Sequence, residues 1–120
     1  MALEHAQPGQ AIHLPPLHER LAGHPSHALI KTHALELIHL VLPAGREQPA
    51  HRVYGEITLH CLEGELHVHI EGAPPCLLRA NDVVLLPANV EHAVRAVQDS
   101  SALLTVQIPP GQPGSGSSTL

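Results

Sequence analysis

The chain almost lacks aromatic residues. Its 120 residues include no Phe and no Trp, and Tyr54 is the only Tyr. A folded core therefore has to be built from Leu, Val, Ile and Ala, which is enough for one domain of this length. The 12 Pro and nine Gly residues interrupt the sequence often, which favours short elements joined by turns over long helices.

Basic residues are also scarce. Only six residues are Lys or Arg, and the formal net charge is −5. Without a basic run, nucleic-acid binding has no electrostatic support. No apolar run reaches the length of a membrane span, and the N-terminus lacks the charged-then-apolar pattern of a secretory signal. We therefore expect a cytoplasmic protein with neither nucleic acid nor membrane as a partner.

Cysteine is equally rare. Cys61 and Cys76 are the only two, and a chain without an export signal is expected to remain in a reducing compartment. We predict two free thiols that act as small apolar residues rather than a disulfide.

Histidine, by contrast, is abundant, with 12 residues. Six of them precede position 39 and are scattered rather than tandem, at positions 5, 13, 18, 24, 27 and 33. They indicate either a soluble segment of biased composition or a second metal site, and the sequence leaves both open. A further His-x-His pair, His67 and His69, is predicted to lie on the polar face of a strand. That face is exposed to solvent or contacts a partner subunit, or the two histidines share a metal or a carboxylate.

Pro and Gly residues, which interrupt regular structure, and runs of alternating apolar residues divide the chain into three parts. Residues 1–26 read as an irregular N-terminal arm with one helical turn near Leu17 to Ala22, and residues 109–120 as a flexible C-terminal tail. Residues 27–108 form the single domain, with eight or nine short strands separated by turns. The predicted strands cover about 28–42, 50–54, 57–62, 65–71, 76–79, 83–86, 92–97 and 103–108. This spacing predicts an all-β sandwich or barrel.

Two stretches place histidines at turns between these strands. The first runs from Gly45 through His51 to Gly64, and the second ends in Pro87 and His92. They resemble the two signature motifs of the cupin superfamily, whose members are small jelly-roll barrels with a double-stranded β-helix fold. The resemblance covers about residues 35–108 and implies that fold here.

Two asparagines depart from the family pattern without contradicting it. Asn81 and Asn89 stand where the second motif usually has Gly. Asn is the next most tolerant residue at positive φ, so the turns of the motif can still form.

The resemblance also implies a divalent metal inside the barrel. It assigns His51 and His92 as ligands, but Val53 stands where another histidine is usual and Ile57 where a glutamate is usual. Glu56 lies one residue early, and only a bulge at Gly55 would turn it inward. Two imidazoles and one carboxylate suit Fe, Mn, Ni or Zn. Either this site exists, or the pocket holds no metal or holds one only weakly.

Three functions remain open at this point. The first is a metal-dependent dioxygenase or isomerase acting on a small oxygen-rich molecule, with His60 and Tyr54 as the nearest acid or base candidates. The second is a non-catalytic cupin that binds a small molecule at a degenerate metal site. The third, a sensor half of a DNA-binding protein, is disfavoured because no helix-turn-helix follows the barrel. We also expect a homodimer, because such barrels expose a sheet that an arm could cover across a two-fold axis.

Overall fold

The computed structural model describes residues 5–111, apart from the side chain of His51. Within that range the chain forms one 3₁₀ helix, at His18–Arg20, and nine strands. The strands are β1 (His27–Lys31), β2 (Leu35–Leu42), β3 (Glu47–His51), β4 (Ile57–Glu63), β5 (Glu65–Ile70), β6 (Cys76–Arg79), β7 (Val83–Leu86), β8 (His92–Ala96) and β9 (Ser100–Gln107). No helix of the described residues has the length and apolar composition needed to cross a membrane.

The strands form two antiparallel sheets that enclose one core. The five-stranded sheet has the order β1-β2-β9-β4-β7, and the four-stranded sheet has the order β3-β8-β5-β6. Fifteen buried residues from both sheets make up the main core cluster, and the largest are Leu, Ile and Val, as the scarcity of aromatics requires. The all-β barrel expected from the sequence is confirmed.

Most predicted strands coincide with the observed ones within a few residues, but two differ. The predicted run over residues 28–42 is split into β1 and β2, because Thr32 closes a turn in which its hydroxyl accepts hydrogen bonds from the backbone N–H groups of Ala34 and Leu35, at 3.1 and 3.0 Å. The strand predicted at 50–54 lies earlier, at β3 (Glu47–His51), where it pairs with β8. The alternation of apolar and polar residues did not locate either boundary, because the first segment is apolar on both faces and the second is short.

The turns of the second motif adopt the conformation expected of them. Asn81 has φ of 75° and Asn89 has φ of 59°, both in the left-handed region. Asn therefore replaces the usual Gly at both positions, since it tolerates positive φ better than most residues.

Strand alternation fixes which side chains enter the core. Along β4, Ile57, Leu59 and Cys61 are at most 1% exposed, and the residues between them face away from the core. Along β2, the core receives Ile38, Leu40 and Leu42, and the opposite face carries His39 and Val41. These last two residues are nevertheless buried, because the N-terminal arm covers them.

The arm is held to this outer face by apolar and polar contacts. Leu17 and Leu21 pack against Val41 in a second, smaller core. The Ser26 hydroxyl accepts a hydrogen bond from the Val41 N–H at 2.7 Å and donates one to the Val41 carbonyl at 3.2 Å. The arm is therefore an integral layer of the domain.

Glu63, at the end of β4, anchors the arm's single helical turn. Its carboxylate accepts hydrogen bonds from the backbone N–H groups of Leu17 and His18, at 2.8 and 3.0 Å, and from the Ser101 hydroxyl at 3.3 Å. Burial alone would raise the pKa of Glu63, but these donors outweigh it and lower the pKa below its ordinary value.

Substitution of Gly55 is predicted to destabilise the fold. A Cβ on Gly55 would overlap the backbone carbonyl oxygen of Gln107, which cannot move without distorting β9. We expect Gly55→Ala to lower the free energy of unfolding in urea by about 3 kcal/mol, as overpacking does. Gly45→Ala is the control, because a Cβ there meets no atom within 4 Å and only the positive φ of 82° is strained, at about 1 kcal/mol. Equal losses in both variants would contradict the predicted overlap.

Neutralising Glu63 is predicted to loosen the arm. Glu63→Gln should lower the free energy of unfolding by about 1–3 kcal/mol at neutral pH, because two backbone donors lose a charged acceptor. Since the pKa of Glu63 is lowered in the folded state, this contribution is present above the unfolded pKa and disappears as pH falls through the folded pKa. The difference between wild type and variant should therefore shrink in acid, as measured by urea unfolding across pH.

A neighbouring carboxylate provides the matched control for this experiment. Glu65 accepts a hydrogen bond from Arg79 at 3.2 Å, but the Arg79 side chain is 73% exposed. Exposed ion pairs contribute about 0–1 kcal/mol, so Glu65→Gln should change stability little. A Glu65→Gln loss as large as that of Glu63→Gln would show that the arm contacts are not the cause.

Candidate functional site

His92 lies inside the barrel, as the sequence predicted for a ligand position. It is 3% exposed and begins β8 on the same face as Val94 and Ala96, which belong to the main core. Its Nδ1 lies 3.3 Å from the Val90 carbonyl oxygen. Since a carbonyl can only accept, Nδ1 is the donor in this contact.

His51 is the backbone partner of His92. The β3–β8 register pairs the two residues directly, with an irregularity between Gln48 and His51 that shifts the pairing. Directly opposed positions of an antiparallel pair lie on the same face of the sheet. The two motif positions are thus neighbours in the fold, although the side chain of His51 lies outside the described residues.

Glu56 takes a different position from the one expected of a ligand. It is exposed, and it lines a depression on the outer face of the five-stranded sheet with Thr58, Leu85 and Thr105. The inward turn expected from a bulge at Gly55 is not found. The backbone of Glu56 is instead tied to Gln107, whose N–H donates to the Glu56 carbonyl at 2.9 Å and whose side-chain oxygen accepts from the Glu56 N–H at 3.0 Å.

Ile57 and Val53 occupy the remaining positions where the family pattern expects ligands. Ile57 is 1% exposed and lies in the main core, and Val53 packs against that core from its edge. Neither side chain has an atom that can bind a metal. Among the described residues, no three His, Cys, Asp or Glu side chains are arranged to hold a metal ion. The donor set around His92 therefore does not fit the four-ligand metal that the resemblance implies.

The two acid or base candidates also lie away from the barrel interior. His60 is paired with Val83 and Leu103 on β4, on the face opposite to the buried Leu59 and Cys61, and Tyr54 is 58% exposed. The structure thus brings neither of them to His92. A role for His60 or Tyr54 in acid or base chemistry stays a prediction.

The buried thiol of Cys61 is not suited to act as a nucleophile or a metal ligand. Cys61 and Cys76 are both free thiols, and Cys61 is buried. Burial, aided by the nearby charge of Asp82, raises the pKa of Cys61 to about 11, so the thiol stays protonated and unreactive at neutral pH.

The sequence did not predict that three separate histidines meet outside the barrel. His24 of the arm, His27 at the start of β1 and His39 of β2 have ring centroids 5.6–6.1 Å apart. Burial, followed by the proximity of His27 and His24, lowers the pKa of His39, and Glu63 only partly opposes this. The number of N-terminal histidines was the one signal in the sequence, but which of them meet depends on how the arm folds back.

The second predicted pair, His67 and His69, lies on the outer face of the four-stranded sheet. With Glu47 and Arg95 it lines a small hollow of about 90 Å³. Arg95 is the register partner of both Glu47 and His67, so opposite charges and an imidazole form one cross-strand row. This face is remote in the fold from the arm, which lies on the other sheet.

Known proteins resemble this chain in both sequence and fold. An uncharacterized protein of Methanocaldococcus jannaschii is 26% identical over 69 residues, which are 58% of this chain and 60% of that protein. Its crystal structure, described as an RmlC-like cupin family protein with a double-stranded β-helix fold, matches with a TM-score of 0.64 at 21% identity, covering 69% of this chain and 78% of that chain. The aligned part of the chain thus spans less than two thirds of this relative.

Two further structures share the fold. A conserved protein of unknown function from Streptococcus pyogenes has a TM-score of 0.73 at 20% identity, over 92% of this chain and 100% of that one. The DMSP lyase DddQ of Ruegeria pomeroyi has a TM-score of 0.67 at 26% identity, over 74% of this chain and 49% of that one. The family described as "Cupin domain" matches residues 38–108, more than half of the sequence. The chain therefore belongs to the cupin family.

Proposed function

We propose that this cupin is a non-catalytic binding module that holds a small oxygen-rich molecule at the barrel positions of His51 and His92. The observation that carries the proposal is the pair of neighbouring residues Glu56 and Ile57. The carboxylate faces outward, and the side chain at the expected ligand position is hydrocarbon in the core. A pocket with two imidazoles and apolar walls can orient a polar ligand by hydrogen bonds, but it supplies few of the donors that a catalytic metal needs.

His92 provides the polar end of this pocket. The contact of its Nδ1 with the Val90 carbonyl orients the ring within the barrel. Around it, Val94 and Ala96 supply an apolar wall. This combination favours a compact molecule with both a polar and an apolar side.

A metal-dependent dioxygenase or isomerase is the second candidate. The direct backbone pairing of His51 with His92 favours it, because two histidines at opposed positions would supply half of the ligands of a four-coordinate site. One of the proteins with this fold is named a lyase. Such an enzyme would need further ligands from substrate or water, since Glu56 lies on the outer face.

The binding proposal predicts a ligand response that depends on His92 and not on Glu56. We expect a thermal-shift screen of small phenols, thiols and keto acids to find a compound that stabilises the wild type. At a concentration 100 times its Kd, the gain is about 2.7 kcal/mol. The shift should be lost in His92→Gln and retained in Glu56→Gln.

His51→Ala is the second variant of this experiment, in case the buried His92→Gln does not fold. Circular dichroism of each ligand-free variant establishes that it is folded. A shift that survives in both histidine variants, or one that vanishes in Glu56→Gln, would overturn the assignment of the pocket to His51 and His92.

The two candidate functions differ in their need for metal. For the binding module, we expect metal analysis of the untagged protein to show no Fe, Mn, Ni or Zn that depends on His92, and oxygen uptake with the same compounds to stay at background. One equivalent of metal that is present in wild type and absent in His92→Gln, together with turnover, would establish the enzyme instead. The Glu56→Gln variant would then test whether a carboxylate takes part.

A further inference from the structure

The three histidines His24, His27 and His39 meet where the arm lies on the five-stranded sheet, and nothing in the proposed function uses them. Their ring centroids are separated by 6.1 Å (His24 to His27), 5.6 Å (His24 to His39) and 5.8 Å (His27 to His39). Each comes from a different segment: the arm, β1 and β2. We refer to these residues as the arm cluster. A change of charge in this cluster acts directly on the contact between the arm and the sheet.

His39 is the buried member of the arm cluster. The residue is 4% exposed, and its Nδ1 has no hydrogen-bond partner among residues 5–111. A proton added to this ring would lose its hydration under the arm, and the Nδ1–H would find no acceptor there. The docked arm therefore holds His39 in its neutral form.

The arm surrounds His39 with further cationic and titratable groups. His13 and Arg20 line, together with the arm cluster and apolar residues, one cavity of about 260 Å³. The guanidinium of Arg20 is a permanent positive charge. A proton on His39 would add a second positive charge beside this cavity, and protonation of His24 or His27 would place a like charge at a centroid separation of 5.6 or 5.8 Å.

On the sheet side, Glu63 at the end of β4 supplies the opposing charge. Its carboxylate favours a proton on His39, but it also accepts the hydrogen bonds of the arm's helical turn. The strand β9 places Leu103 opposite His39, and His60 of β4 follows in the same row. The strand β2 adds no titratable group, because its other residues on this face are Leu and Val. Among the residues that the structure describes, more groups around His39 repel a proton than attract one.

These surroundings link docking of the arm to pH. Burial lowers the pKa of His39, the proximity of His27 and His24 lowers it further, and Glu63 only partly opposes this. When the arm is undocked, the ring is hydrated and its pKa returns toward the ordinary value of about 6.5. The undocked state therefore takes up a proton first as pH falls, so that docking is favoured above about pH 6.5 and weakens between that value and the lowered pKa of the docked state.

We propose that the arm cluster is an acid-sensitive switch, in which protonation of the buried His39 releases the arm from the five-stranded sheet. Release uncovers the second, smaller core of Leu17, Leu21 and Val41. The barrel itself stays folded, because its main core is built from the strands alone. The proposal is independent of the barrel pocket, since none of its residues belongs to that site.

The test is amide hydrogen exchange of the full chain between about pH 7.5 and about pH 5.5, where imidazoles titrate, corrected for the intrinsic pH dependence of exchange. We expect the protection of the Leu17 and His18 amides to fall by up to about tenfold per pH unit, the slope for uptake of one proton. Glu63 stays ionised over this range, because its pKa lies below its ordinary value. The amides of β4 and β9 should keep their protection, and a parallel loss there would show unfolding of the whole domain and overturn the switch.

Variants assign the effect to the arm cluster. His39→Gln removes the titrating ring and keeps a neutral polar side chain, so the arm amides should lose most of their pH dependence. His67→Gln/His69→Gln is the matched control, since it removes two histidines from the other sheet, and it should keep the slope of the wild type. A wild-type slope in His39→Gln, or a slope lost in the control, would overturn the assignment.

A measurement on the wild type covers the case in which His39→Gln does not fold. The imidazole C–H resonance of His39, followed by NMR, should titrate with a midpoint below about 6.5, and the arm amides should lose protection as it does. In His24→Gln/His27→Gln the midpoint should rise, because two neighbouring rings that disfavour the proton are gone. An arm that stays protected after His39 is protonated, or a midpoint that does not move in the double variant, would contradict the proposal.

Discussion

The pairing of β2 with β9 and of β9 with β4 is the constraint on which the other features depend. The β2–β9 register is unbroken from Leu35 and Gln107 to Leu42 and Ser100. Because a strand alternates its faces at every residue, this register decides at once which side chains fill the core and which lie under the arm. A slip of one residue would place His39 in the barrel and Ile38 under the arm, so the register is strongly specified by burial on both faces.

The same alternation explains the altered barrel site. On β4 the position that would carry a carboxylate ligand is Ile57, and it is part of the core cluster that the strand pairing holds in place. Gly55 lies against the Gln107 carbonyl, and Glu56 is hydrogen-bonded to Gln107 through its backbone. Rotating Glu56 inward would have to displace Ile57 from the core, at a cost of several kcal/mol for a large buried apolar side chain. The position where the family pattern expects a ligand thus carries a packing residue.

The arm covers the outer face of the five-stranded sheet. Glu63, Ser26 and the contacts of Leu17 and Leu21 with Val41 hold it there, and the docked arm brings His24 over His39. The inner face of these strands thus contributes to the barrel core, and the outer face is covered by the arm.

The sequence by itself determined the fold class, most strand positions and the two asparagine turns, because alternation, turn residues and motif spacing are local properties of the chain. It also identified His51 and His92 as neighbours, through the resemblance of their motifs. It did not determine whether the Glu56 side chain points into the barrel or away from it. That orientation depends on whether a bulge forms at Gly55, and the packing of Gly55 against β9 decides this. Nor did it select His24, His27 and His39 from 12 histidines. Only the folding of the arm across β2 brings those three together, and contacts between residues so far apart in sequence have no local signal.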